Sequence, residues 1–328
     1  MKPIRLALGA LLALSVLPSP AHAQDKYPSK PIKILIPFGP GGAPDIVARV
    51  VGEQLRASLG QAIVIENKPG AFGILAVETM AAAKPDGYTL MMGNVATNAM
   101  TPIIHRKRMK IDYEKAVVPV MRLTRIPAFL VIAPSIPAKT SAEFVAWAKQ
   151  RSGQVRYNTA GAGSFVHVDL IAFSRKAGIE AAHIPVKSGA VQMMSDIMRG
   201  DAHFTFMNVA TSAGQVRGGG VRALAIAADK RLPEFPDLPT MAEIGYAGIG
   251  TAQWQGLFAP ASTPDAVIER LHKAVTEALK TETVRAHFAK SFVQIDPTGS
   301  PAEARTWLKD EMTLWAKAWS EANINLDD

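Results

Sequence analysis

Cysteine is absent from this 328-residue chain, so neither a disulfide bond nor a cysteine-linked lipid can form. A chain of this length buries enough core to fold without cross-links. Histidine pairing is also absent: once His22 is set aside, no two of the remaining histidines stand in the H-x-x-x-H spacing of a zinc site. We therefore expect no metal site, and nothing else in the sequence indicates a cofactor.

The chain lacks an apolar run long enough to cross a membrane. Its amino-terminal run covers residues 6–17 and is ended by Pro18, whereas a membrane-spanning helix needs about 20 apolar residues. Two basic residues precede the run, and Ala21-His22-Ala23 follows in the A-x-A form of a secretory cleavage site. We expect residues 1–23 to be a signal peptide, cleaved after Ala23, and the mature protein to be soluble in a bacterial periplasm.

Basic residues are scattered, without the aromatic-interleaved stripe typical of nucleic-acid binding. The formal net charge of +8 falls to about +6 when Lys2 and Arg5 leave with the signal peptide. The one basic cluster, residues 105–110, is predicted to be a solvated surface turn, with contact to phosphate as the alternative. We therefore expect no nucleic-acid partner, and a basic balance that steers small anions towards a cleft.

Enzyme motifs are incomplete. Ser164 follows the second glycine of its loop, so the G-x-S-x-G nucleophile elbow is not formed. Neither glycine-rich loop of the chain ends as a phosphate-binding P-loop or completes G-x-G-x-x-G. Asp45 could act as a general base, but a carboxylate at a helix start is more often a cap. The sequence therefore predicts binding without catalysis.

The most informative stretch joins a strand to a helix through glycines. Residues 32–36 are branched and apolar, as in a buried parallel strand. Gly39, Gly41 and Gly42 then allow a ligand to approach the main chain. A helix with apolar residues at helical spacing is predicted over residues 45–58. Its first turn offers free N–H donors and a positive dipole end, which predicts an anion site.

A second unit repeats this arrangement. A strand over residues 155–158 leads into the loop 159–164, and a helix is predicted over 165–177, followed by a strand over 181–185. Ser164 is placed to cap that helix or to donate to an anion. Two such units predict an α/β protein with two similar lobes that share a cleft.

The lobes are joined by two predicted crossovers. The segment Leu130–Pro137, before one helix, resembles Leu257–Pro264, before another, as expected for matched strands that pass between lobes. The chain would cross near residue 125 and return near 252, so the first lobe is discontinuous. Carboxy-terminal helices containing Trp307 and Trp315 are predicted to pack on it. The predicted parts are residues 24–125 (first lobe), 126–251 (second lobe) and 252–328 (return to the first lobe).

Several polar side chains have two interpretations. His167 lies one turn into the second helix, where it could donate to a bound carboxylate or satisfy a neighbouring backbone carbonyl. His183 and His203 lie in strand-like runs and are predicted to be structural. Lys187 is predicted to be solvated, with a position facing the cleft as the alternative.

Taken in order, these motifs resemble the Bug family, the periplasmic receptors of tripartite tricarboxylate transporters. The resemblance extends from Tyr27 to the end of the chain. It rests on Tyr27-Pro-Ser-Lys-Pro31-Ile32, Pro37-Phe38 with Gly41-Gly42 and Asp45, Glu66-Asn67-Lys68-Pro69-Gly70-Ala71, Pro85-Asp86-Gly87-Tyr88-Thr89-Leu90, Gly161-x-Gly163-Ser164-x-x-His167, Arg222-Ala223-Leu224-Ala225 and Asp237-Leu-Pro239-Thr240.

The resemblance implies a two-lobed, venus-flytrap binding protein of type II that closes on a carboxylate and delivers it to a small and a large membrane subunit. It implies a monomer without enzymatic activity. In such receptors the first loop binds one carboxylate through backbone N–H groups and the second lobe grips the other end. Carried over by position, the first-lobe residues are Phe38, Gly39, Gly41, Gly42, Ala43, Asp45, Asn94 and Thr97, and the second-lobe residues are Thr159, Gly161, Gly163, Ser164 and His167.

Two departures from the family pattern bear on the ligand. Val186-Lys187-Ser188-Gly189 stands where many relatives have Tyr-Lys-Gly, and Phe206-Met207-Asn208 stands where many have Phe-Asp-Asn. We therefore also place Val186, Met207 and Asn208 among the ligand residues and expect a more apolar pocket, for an aromatic or aliphatic monocarboxylate or dicarboxylate rather than an amino acid. The alternative is that Val186 and Met207 pack in the core.

Two other functions stay open at this point. One is a sensor subunit that presents its ligand-bound form to a membrane histidine kinase. The other is an exported α/β hydrolase that uses Asp45 or His167.

Overall fold

The computed structural model describes residues 27–186 and 189–324. The predicted signal peptide and Lys187 lie outside these ranges. The described residues contain eleven strands: β1 Ile32–Ile36, β2 Ile63–Asn67, β3 Thr89–Asn94, β4 Val117–Ile126, β5 Ala128–Ile132, β6 Val155–Thr159, β7 Ala181–Pro185, β8 Phe204–Asn208, β9 Arg222–Ala227, β10 Gln253–Pro260 and β11 Gln294–Ile295.

Helices alternate with these strands, as the sequence predicts. The α-helices are α1 Ala43–Leu59, α2 Ile74–Ala81, α3 Thr101–Ile104, α4 Tyr113–Ala116, α5 Ser141–Lys149, α6 Phe165–Ala177, α7 Ala190–Arg199, α8 Val209–Arg217, α9 Asp265–Lys280, α10 Glu282–Lys290 and α11 Pro301–Ala322. Shorter turns are the 3₁₀ helices Ala71–Gly73 and Arg106–Arg108 and the π-helix Ala96–Met100.

Two separate sheets give two α/β lobes. The first sheet has the order β11-β4-β10-β3-β1-β2 and the second has the order β7-β6-β8-β5-β9. In the first sheet β1 runs parallel to β2 and β3, and β10 is antiparallel to its neighbours β3 and β4. In the second sheet β6 runs parallel to β7 and β8. The predicted two-lobed α/β architecture is confirmed.

The chain passes between the sheets where their strands end. Strand β4 ends at Ile126 in the first sheet, and β5 begins at Ala128 in the second. Ala128 pairs with Asn208, the last residue of β8, and Ile126 pairs with Gln253, the first residue of β10. The carboxyl ends of β4 and β8 therefore meet at the crossing. Crossings at residue 127 and between 228 and 252 support the predicted lobe boundaries, which stay a prediction.

Apolar residues cover both faces of the first sheet. Helices α1 and α9 pack on one face, where Val47, Leu55 and Leu271 are buried. Helices α2 and α11 pack on the other, and the Trp254 ring meets the Trp307 ring edge-on at a centroid distance of 4.7 Å. Trp307 and Trp315 are both buried, so the prediction that the carboxy-terminal helices pack on the first lobe is confirmed.

No helix within residues 27–186 and 189–324 is long and apolar enough to cross a membrane.

Candidate functional site

The first glycine loop connects the carboxyl end of β1 to the start of α1. Gly41 has φ +83°, a left-handed conformation that glycine adopts without strain. Gly42 is different, because it caps α1 with φ −74° and ψ 163°, an extended geometry open to any residue. A methyl group added at Gly42 would meet no atom nearer than 3.8 Å. The turn therefore requires glycine at position 41 and not at position 42.

Asp45 holds this loop in place. Its buried carboxylate accepts hydrogen bonds from the Gly41 N–H at 3.0 Å, from two nitrogens of Arg49 at 2.9 and 3.0 Å, and from the Asn67 amide at 2.9 Å. Burial alone would raise the pKa of Asp45, but the hydrogen bonds from Arg49, Gly41 and Asn67 outweigh it and lower the pKa to about 2. Asp45 is thus a charged structural anchor, which disfavours a role as general base at neutral pH.

Backbone donors in this loop divide into two groups. Among the described residues, the N–H groups of Phe38, Gly39, Gly42 and Ala43 donate to no protein acceptor. The Gly41 N–H donates to Asp45, so it already has a protein acceptor, and its expected contact with a ligand stays a prediction. Gly42 and Ala43 lie at the amino end of a 17-residue helix, where the dipole favours an anion, and Phe38 and Gly39 lie in the loop before it.

Asn94 and Thr97 lie beside this loop and are almost fully buried, with 2% and 1% of their surfaces exposed. The Asn94 side-chain oxygen accepts from the backbone N–H groups of Ala96 and Thr97, which fixes the π-helical turn after β3. A methyl group added at Gly73 would lie 2.4 Å from Thr97 and 3.4 Å from Pro37. Thr97 and Pro37 therefore both lie against Gly73, and the role of Thr97 in a cleft wall stays a prediction.

The second glycine loop is held by its own hydrogen bonds. The Ser164 hydroxyl accepts from the His167 N–H at 3.3 Å, which confirms Ser164 as a helix cap. The Gly161 N–H donates to the Thr159 hydroxyl at 3.1 Å, and the Gly163 N–H donates to Nδ1 of His167 at 3.2 Å. These donors are not free for a ligand, in contrast to the donors of the first loop.

His167 and His183 form a stacked pair beside the second loop. Their ring centroids lie 3.8 Å apart with an interplanar angle of 20°. Burial, followed by the neighbouring His183, lowers the pKa of His167 to about 4, so the ring is neutral at pH 7. Because Nδ1 accepts from Gly163, the single proton lies on Nε2. The ring thus accepts from a backbone N–H, a partner that neither sequence interpretation included, and its Nε2–H has no hydrogen-bond acceptor among the described residues.

The residues that depart from the family pattern lie mostly inside the second lobe. Val186 and Met207 are 6% and 3% exposed and belong to its hydrophobic core, which favours the packing alternative for both. Asn208 is half-buried at the end of β8, and its amide donates to the Gln253 side-chain oxygen at 3.0 Å. Asn208 therefore links the two lobes where the chain crosses between them.

Three contributors were not predicted from the sequence. Arg49 follows Asp45 by four residues, a spacing that places both on one helix face. Asn67 ends β2 and pairs in register with Ile36, which brings its amide within 3.1 Å of the Phe38 carbonyl oxygen. Gln253 meets Asn208 only because β10 returns to the first sheet. The i, i+4 spacing could have revealed Arg49, but the other two depend on sheet register.

Two α/β lobes, joined where their strands end and each carrying a glycine loop at a helix start, define a periplasmic binding protein. The profile described as the tripartite tricarboxylate transporter family receptor matches residues 47–318. The chain belongs to this family, as the sequence motifs indicated.

Similar proteins cover almost the whole chain. Protein BugT of Bordetella pertussis is 29% identical over 326 residues, which is 99% of each chain. A Rhodopseudomonas palustris structure with adipate has a TM-score of 0.80 and 29% identity, covering 91% of this chain and 99% of that one. The Rhodopseudomonas palustris protein MatC with bound malate has a TM-score of 0.75 and 29% identity, covering 89% and 99%.

Proposed function

We propose that this protein is a periplasmic receptor that captures a small organic carboxylate between its lobes and delivers it to a tripartite transporter. The observation that carries the proposal is the first glycine loop, where four backbone N–H groups, in the loop and in the first residues of α1, have no protein acceptor among the described residues. Such donors match carboxylate oxygens in charge and geometry. Two structural neighbours contain dicarboxylates, malate and adipate.

The second loop supplies the other contact. Its glycine N–H groups are used internally, so the Nε2–H of His167 and the amino end of α6 are the donors that face the ligand. Each charge-assisted hydrogen bond contributes about 1.5–3 kcal/mol. The ligand then stabilises the closed arrangement because only that arrangement lets both loops bind it. The other ligand residues named from the sequence are part of this proposal, whereas Gly41 acts through its contact with Asp45, and Val186 and Met207 act through packing beneath the site.

The proposal includes export and membrane partners, which membership of a transporter receptor family supports. The signal peptide is cleaved after Ala23, the mature protein works in the periplasm as a monomer, and the partners are the small and large membrane subunits. Binding leaves the ligand chemically unchanged, so the protein is not an enzyme.

A thermal-shift screen tests the carboxylate proposal. The mature protein is unfolded and refolded to remove any copurified ligand, then heated with monocarboxylates, dicarboxylates, tricarboxylates, aromatic acids and amino acids. A ligand present at 100 times its Kd adds about 2.7 kcal/mol of stability, which raises Tm by about 5 °C. We expect such a shift from one carboxylate class. A shift from amino acids alone, or from none of the classes, would contradict the proposal.

A further inference from the structure

One basic cluster is not used by the ligand site. Residues Arg106–Arg108 form an exposed 3₁₀ turn on the first lobe, followed by exposed Lys110. The cluster borders a groove of about 910 Å³ between the 102–119 segment and helix α11. We call this feature the basic groove.

The basic groove combines an apolar floor with positive charge. Its floor contains the side chains of Ile103, Met109 and Met312, all partly buried against the first-lobe core. Its rim carries exposed Arg106, and Lys309 follows on α11. A concave apolar floor of this kind is suited to inserted side chains rather than to a flat surface.

The positive charge of the groove is largely uncompensated. Among the residues that the structure describes, Arg106, Lys110 and Lys309 form no ion pair. Of the two acidic lining residues, Asp112 is already paired with Lys115 at 3.1 Å, which leaves Glu114. Arg106, Lys110 and Lys309 outnumber Glu114 and the Glu78 carboxylate, which accepts from the Lys110 N–H, so the groove keeps a net attraction for negative charge.

An exposed aromatic ring extends the same surface. Phe72 has 61% of its surface exposed, although its ring stacks on His105 at 4.4 Å and the Arg108 guanidinium lies 5.5 Å from the ring centroid. Its φ of +57° is strained for a bulky residue. Leu75 nearby is 45% exposed. Large exposed apolar side chains beside unpaired cations are typical of a protein interface.

We infer that the basic groove and Phe72 form the docking surface for a segment of the membrane transporter that carries acidic and apolar side chains. Its carboxylates pair with Arg106, Lys110 and Lys309, while its apolar side chains enter the groove and cover the Phe72 ring. This inference rests on the proposed transport function, since it assigns the partner. The surface lies outside the two glycine loops, so docking and ligand binding use different residues.

The test measures sedimentation of the purified mature protein with proteoliposomes that contain the small and large transporter subunits of the same organism. We expect the double variant Arg106→Glu, Lys309→Glu to bind at least tenfold more weakly than the wild type, and Phe72→Asn, which tolerates the left-handed backbone, to weaken binding as well. The control Lys139→Glu, Lys149→Glu makes the same charge change on exposed lysines of the second lobe and is expected to bind within twofold of the wild type.

The outcomes separate docking from ligand capture. Each variant is also titrated with malate and adipate, and we expect its thermal shifts to equal those of the wild type. Equal binding of wild type and groove variant to the proteoliposomes would overturn the docking surface, as would no binding by the wild type. Equal binding to protein-free liposomes would overturn the choice of a protein partner. Absence of every carboxylate shift would instead remove the proposed receptor function.

Discussion

At the scale of single residues, the first loop depends on one carboxylate. The Asp45 carboxylate accepts hydrogen bonds from the Gly41 N–H, the Arg49 guanidinium and the Asn67 amide. These bonds link the loop, helix α1 and strand β2. These partners neutralise the negative charge of Asp45. The neighbouring N–H groups can therefore attract an anion without repulsion from this carboxylate. The sequence placed Asp45 at the helix start, but it indicated neither the Arg49 nor the Asn67 partner.

The depressed pKa of Asp45 predicts an acid-sensitive contribution to stability. The folded-state pKa of about 2 lies below the ordinary 3.8, so the stabilisation is complete above about pH 5 and is lost as the pH falls towards 2. We expect Asp45→Asn to be about 2 kcal/mol less stable than the wild type at pH 6, with much of that difference gone at pH 2.5. Urea unfolding at the two pH values measures it.

The control for this experiment is Glu53→Gln, on the same helix. Glu53 pairs with Arg56 but is exposed, and exposed ion pairs contribute about 0–1 kcal/mol. A stability difference for Asp45→Asn that is the same at both pH values would show that its charge is not held by the network.

Gly41 and Gly42 provide a second test, since adjacent glycines have opposite backbone requirements. Alanine at position 41 must adopt φ +83°, which costs about 1 kcal/mol. Alanine at position 42 keeps an extended conformation with room for its methyl group, and we expect it to leave stability unchanged or slightly higher. Thermal unfolding of the two variants measures the difference. Equal losses at both positions would contradict the loop geometry.

At the scale of elements, helix α6 links the second glycine loop to the crossing between lobes. Ser164 caps its start, His167 follows one turn later, and Asp169 accepts a hydrogen bond from the Thr251 hydroxyl at 2.7 Å. Gly250, beside Thr251, has φ +90° and no room for a methyl group, which would lie 2.8 Å from Ala227. A ligand that moves the start of α6 therefore acts on the segment that joins the lobes.

The link through Asp169 predicts a pH dependence of opposite sign to that of Asp45. Burial raises the pKa of Asp169 to about 7, against the lowering effect of hydrogen bonds from Thr251 and Gly250. The folded state then keeps a proton that the unfolded chain loses, so stability falls as the pH rises from about 4 through 7. We expect Asp169→Asn to gain stability relative to the wild type between pH 5 and pH 8. Urea unfolding at both values measures the gain, and a pH-independent difference would contradict it.

Helices whose ends are marked by nearby residues were predicted well from the sequence. Contacts and turns that depend on strand register or on tertiary packing were not. Helix α6 spans the predicted residues 165–177 because both of its end signals are local: Ser164 immediately precedes it as the cap, and Gly178 (φ +66°) immediately follows it. Helix α1 starts at Ala43 rather than Asp45, because Pro44 suits the first turn. The π-helix at Ala96–Met100 has no local sequence signal. It depends on side-chain bonds within a packed turn.

At the scale of the whole molecule, the two lobes meet through both polar and apolar contacts. Asn208 and Gln253 are joined by a hydrogen bond at the crossing, and the Arg175 guanidinium of α6 donates to the backbone of α11 at Ala322. Each lobe has its own sheet, and apolar side chains also pack between the lobes: Val168 of α6 shares a buried cluster with Trp254 and Trp307, and the Phe292 ring packs on Phe235. Two separate sheets joined by chain crossings favour hinge closure, in which a bridging ligand supplies the closing energy.

The most direct test of a carboxylate receptor is calorimetric titration of the refolded mature protein with a dicarboxylate and with its uncharged diamide, for example adipate and adipamide. The dicarboxylate is the one that gives the largest shift in the thermal screen. The two ligands have nearly the same shape, but only one presents anions to the free N–H groups of the first loop. We predict binding of the dicarboxylate and at least hundredfold weaker binding of the diamide, because each lost charge-assisted bond contributes about 1.5–3 kcal/mol. Equal affinity for both ligands would contradict the assignment of the loops as a carboxylate site.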